Sequence, residues 1–103
     1  MSAIVTSDRD EDWFTNSRAW SIILERAAAN LDAKQLEEFK QHVNTIGVDF
    51  TLVDPLLRPK IALWLIAAVE ALHDSGAEEQ GWGSKGDQIH LAELISMLRR
   101  MVE

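Results

Sequence analysis

Val48-Asp49-Phe50-Thr51-Leu52-Val53 is the stretch on which the fold class turns. Apolar residues at 48, 50 and 52 alternate with polar ones at 49 and 51, the period of a half-buried strand. A single strand is not stable without partners. Every other long stretch of the chain carries helical spacing. The six residues are therefore read as an extended connector that buries Phe50 and Leu52, and the expected fold class is all-α.

Upstream, Asp32 with Gln35 three residues later is the signature of a capping box, and Leu31 and Leu36 flank it at the staple positions. The helix it starts presents Leu36, Phe39, Val43 and Ile46 on one face, and Gly47 is placed to end it in a left-handed conformation. Before that, Trp13, Ser17, Trp20, Leu24, Ala27 and Leu31 follow a 4-3-4-3-4 spacing, the stripe of an amphipathic helix. Ser7 reads as its cap. Asp8, Asp10, Glu11 and Asp12 lie where the positive end of a helix dipole favours carboxylates. Residues 1–7 are then a flexible leader, and 8–103 a single helical domain.

Downstream, Asp54-Pro55 reads as a cap followed by proline at a first helical position. Asp54 and Arg58 are spaced to pair across one turn. Pro59 interrupts that turn, because it lacks a backbone donor, so the main third helix is expected from Pro59 to about Asp74. Its core, Ile61 to Val69, is apolar all round. Such a helix is central to the domain or lies in an interface between copies. Trp64 falls in this run and reads as core, as does Trp20 on the first stripe. Ser75 to Asp87 holds four of the five glycines and reads as a loop. Asp87 then caps a fourth helix, about Gln88 to Val102, ending in Arg99 and Arg100. The sum is a small four-helix domain, orthogonal or bundle-like, with a glycine-rich loop before the last helix.

Composition narrows function more by exclusion than by assignment. Seventeen acidic against ten basic side chains give a net charge of −7, which repels phosphate backbones and anionic membranes. Neither nucleic acid nor membrane is expected as a partner. The chain has no cysteine, so disulfides, zinc–thiolate sites, iron–sulfur clusters and cysteine nucleophiles are excluded. Met1 to Thr6 lacks the basic and apolar regions of a signal peptide. Nine apolar residues at 61–69 fall short of the roughly 20 needed to cross a bilayer. The expectation is a soluble, cytoplasmic protein.

Three motifs have a plainer reading beside the functional one. Gly81, Gly83 and Gly86 spell G-x-G-x-x-G with Lys85 inside, but no strand precedes them, and Glu78, Glu79 and Asp87 carry the wrong sign for a phosphate. A glycine loop accounts for them. Glu70 and His73 on helix 3, with His90 and Glu93 on helix 4, would offer a metal two imidazoles and two carboxylates if turned together. Surface His–Glu pairing at helical spacing explains the same residues, as it does Glu38 and His42. No hydrolytic nucleophile motif is present. The expectation is no cofactor and no catalytic residue.

What remains is a binding module. An acidic surface steers encounter with a basic protein. Trp13 beside the acids, and Trp82 between glycines, have the character of buried anchors at an interface. The expected partner-binding set is Asp8, Asp10, Glu11, Asp12, Trp13, Glu78, Glu79 and Trp82. The profile is similar in type, not in motif, to small acidic helical immunity proteins and antitoxins, which implies an inhibitor that occludes a basic protein partner. The alternatives are a structural homodimer through helices 3 and 4, and a metal-binding helical protein.

Overall fold

The computed structural model describes residues 2–74 and 85–102. It overturns the all-α expectation: the chain is mixed α/β, and the described residues form four helices and a three-stranded sheet. The elements run β1 (Ser2–Thr6), β2 (Asp12–Asn16), α1 (Ser17–Ala29), α2 (Ala33–His42), β3 (Gly47–Asp49), a 3₁₀ turn at Phe50–Leu52, α3 (Arg58–Asp74) and α4 (Lys85–Arg100).

The strand order is β2-β1-β3, so the expected leader is the central strand. β1 pairs antiparallel with β2, Ala3 facing Thr15 and Val5 facing Trp13. It pairs parallel with β3, Val5 beside Val48. The first two residues of the 48–53 connector, Val48 and Asp49, thus do find partners, some forty positions away in the chain. Gly47 does not end a helix. α2 stops at His42, and Val43 follows in extended conformation. Gly47 instead sits at φ +124° beside β1, where a Cβ would lie 1.8 Å from the Ile4 carbonyl oxygen. Only a residue without a side chain fits that approach.

The acids at 8–12 are not a helix N-terminus. They form the β1–β2 turn, with Asp10 at φ 64°, a conformation asparagine and aspartate tolerate better than most residues. Ser7 is buried and holds the turn from inside, its Oγ accepting from the Arg9 and Glu11 amides. α1 begins only at Ser17, where the Asn16 side chain accepts from the Ala19 amide. The Asp32–Gln35 capping box forms as the sequence indicates.

Asp54 caps the turn before α3, its Oδ1 accepting from the Leu56 amide. The Arg58 amide donates to the Asp54 carbonyl, but the Arg58 guanidinium does not pair with the Asp54 carboxylate. Its Nε donates to the Val53 carbonyl and its Nη2 to that of Thr51, tying the helix start to the segment after β3. Pro59 falls in the first turn of α3, where a backbone donor has no helical partner to lose.

One core joins sheet and helices: Ala3, Val5, Trp13 and Val48 from the strands meet Trp20 and Ile23 of α1, Phe39 of α2, and the inner faces of α3 and α4. Phe50 is fully buried, whereas Leu52, expected in the core, is 83% exposed. The apolar circumference of α3 is explained by its position. Ile61, Ala62, Leu65, Ile66, Ala68, Val69 and Leu72 are buried between α1 and α4, leaving Leu63 outside. Trp64 is half-buried, with Phe39 edge-on at 6.3 Å and the Lys60 ammonium 5.3 Å from its ring. α4 begins at Lys85, so Gly86 and Asp87 belong to a helical turn rather than to the expected loop. No helix among the described residues is long and apolar enough to cross a membrane.

Candidate partner-binding surface

Alternation along the strands sorts the sheet into two faces. Ala3, Val5, Trp13 and Val48 point into the core. The opposite face carries Ser2, Ile4 and Thr6 of β1, Asp12, Phe14 and Asn16 of β2, and Gly47 and Asp49 of β3. No helix among the described residues covers it: Ile4 is 40% and Phe14 54% exposed.

The centre of this open face is apolar for a geometric reason. The Ile4 amide donates to the Ile46 carbonyl on the β3 side at 3.0 Å, so it is not spent on β2. Ile4 and Phe14 are therefore a non-hydrogen-bonded cross-strand pair, the kind in which side chains approach most closely. On the other flank of Ile4 lies Gly47, which contributes no side chain.

One end of the face is acidic. The register sets Asp12 and Asp49 on either side of Thr6, and the turn with Asp8, Asp10 and Glu11 continues beyond. Thr6 Oγ1 donates to Asp12 at 2.8 Å, and Asp49 accepts from the Thr51 amide at 2.9 Å. Glu11 lies 3.3 Å from Arg100 of α4. Among the described residues, Asp8 and Asp10 make no side-chain hydrogen bond or ion pair, and both are exposed.

Trp13 is not displayed on this surface. It is 5% exposed, in β2 rather than in a helix, and its indole Nε1 donates to the His90 carbonyl at 3.0 Å. The imidazole of His90 stacks on the indole with centroids 4.4 Å apart, and its Nε2 lies 2.6 Å from the Phe14 carbonyl oxygen. A carbonyl only accepts, so Nε2 carries the proton in this bond. The same pairing geometry explains the contact: in a non-hydrogen-bonded pair the Phe14 carbonyl points away from β1, off the sheet edge. His90 therefore covers part of that edge, which blunts β2 as a template for further strands.

The four metal candidates are not brought together. Glu70 is bound to Arg99 at 2.6 Å, and His73 lies 3.3 Å from Asp74, both along a groove of about 480 Å³ between α3 and α4. His90 is engaged at the sheet edge, with Glu93 3.8 Å away. No group of three metal-ligating side chains occurs among the described residues. Glu78, Glu79 and Trp82 lie outside those residues. A second groove, about 410 Å³ between α1 and α2, is lined by Leu24, Ala28, Leu36, Phe39 and Val43.

Sequence reasoning missed Ile4 and Phe14. The signal was present: two five-residue runs, S-A-I-V-T and D-W-F-T-N, separated by five residues rich in aspartate, fit a hairpin. Scans against protein-family models, curated proteins and solved structures find nothing that matches this chain.

Proposed function

We propose that this chain is a small acidic protein-binding module that occludes a basic protein partner, in the manner of an immunity- or antitoxin-type inhibitor. The observation that carries the reading is the β1–β2 turn. Four carboxylates and one guanidinium, that of Arg9, lie within five residues of a short hairpin, and among the described residues Asp8 and Asp10 are solvent-exposed and form no ion pair. Like charges so close repel one another, and an opposing basic surface relieves that cost while speeding encounter. The Ser7 bonds fix the turn, so little order is lost when it docks. The mechanism is steric and electrostatic: the module covers a basic cleft and performs no chemistry of its own.

The test begins with capture from the native host and identification by mass spectrometry, followed by binding measurements with the purified partner. The reading predicts a partner with a basic contact surface. Affinity should fall by about tenfold or more between roughly 0.05 and 0.5 M salt, because exposed charge pairs are screened over that range. Replacing Asp8 and Asp10 with Asn should weaken binding in low salt and flatten the salt dependence. A partner with an acidic contact surface, or an affinity indifferent to salt, would contradict it.

A further inference from the structure

Resting on that reading, we propose that the open face of the sheet is the docking surface, with Phe14 and Ile4 as its anchor, for a basic protein segment that carries an apolar side chain between lysines or arginines. Three observations meet there. The apolar centre is a close cross-strand pair that the fold leaves uncovered, with Phe14 54% exposed. Its position is rigid, since β1 is bonded on both sides and His90 holds the Phe14 carbonyl. The acidic row Asp12 and Asp49 lies one residue step along the same face, continuous with the turn that bears Asp8 and Asp10.

Charge decides the occupant. The face carries three apolar or small residues, three neutral polar ones and two aspartates, with no lysine, arginine or histidine among them. A second copy laid face to face on it brings only the same two aspartates and no cation to balance them. A basic segment does balance them: an apolar side chain packs on top of the Ile4–Phe14 pair, while flanking cations reach Asp12 and Asp49. Aromatic side chains are favoured at such centres because they bury much area at little entropic cost.

The experiment is an NMR titration of the full chain, labelled with ¹⁵N, against two synthetic peptides of equal charge, one alternating Lys and Leu and one alternating Lys and Ser. Amide shifts should concentrate on β1, β2 and Asp49 with the Lys–Leu peptide, and its affinity should exceed that of the Lys–Ser peptide. Phe14→Thr and Ile4→Thr, both strand-compatible at exposed sites, should each weaken Lys–Leu binding by about tenfold, the effect of losing one buried anchor. Leu63→Gln, which removes an equally exposed apolar side chain from α3, should change nothing. Thermal midpoints close to that of the parent chain verify that the variants fold.

Shifts confined to the α1–α2 groove, or equal weakening by Leu63→Gln, would overturn the surface while leaving the basic-partner reading intact. Absence of shifts with either cationic peptide would overturn both.

Discussion

Gly47 is the residue at which this fold is least tolerant of change. Its φ of +124° is a region that side-chain-bearing residues rarely adopt, and the added Cβ of an alanine would meet the Ile4 carbonyl at 1.8 Å. Neither the strand pairing nor the turn from Asn44 can shift without breaking the bonds that define them, namely Asn44 amide to Gly47 carbonyl and the reverse. Gly47→Ala should cost about 3 kcal/mol or more in urea unfolding, beyond ordinary backbone strain because the obstructing atom is main chain. A loss under about 0.5 kcal/mol, the ordinary range for a surface change, would mean that β3 does not lie against β1 as described. Sequence reasoning recognised that Gly47 needs an unusual backbone but assigned the need to a helix end. A glycine after an amphipathic run looks the same in both cases. What distinguishes them is the strand it touches, 43 positions earlier in the pairing of Ile4 with Gly47.

Helices and strands differ in how openly the chain declares them. The start of α2 was legible because every part of the signal is local: Asp32 accepts from the Gln35 amide, and the Gln35 side chain accepts from the Asp32 amide. Asp32→Ala removes the acceptor and should lower stability by about 1 kcal/mol, measured by denaturant unfolding, with no change in the sheet. An unchanged midpoint would show the box to be idle. The strands were not legible in this way. β1 and β3 are short, and each is held by a partner distant in sequence or by a turn whose acids also suit a helix N-terminus. The 4-3-4 stripe drew the helix back to Trp13. Trp13 does face the core, but from β2, because period 2 and period 3.6 agree at a single position. The open face was lost with the strands. A strand read as a frayed leader has no faces, and Ile4 and Phe14 become ordinary apolar residues without a common surface.

Across the whole molecule, which carries a net charge of −7, the helices close the core from one side of the sheet, and no helix among the described residues covers the other. That arrangement also redirects the search for an anchor. The tryptophan beside the acids is buried, and the exposed aromatic is its neighbour Phe14. Both consequences depend on Ser2–Thr6 being the middle strand, paired on each side, rather than a tail. Amide hydrogen exchange at Ile4 tests this most directly, because its N–H is bonded across to the Ile46 carbonyl, beside β3. Protection within about tenfold of the slowest amides in α3 is the expected result, since strands of the core open only with the whole fold. Exchange at the rate of an unstructured peptide would contradict the account.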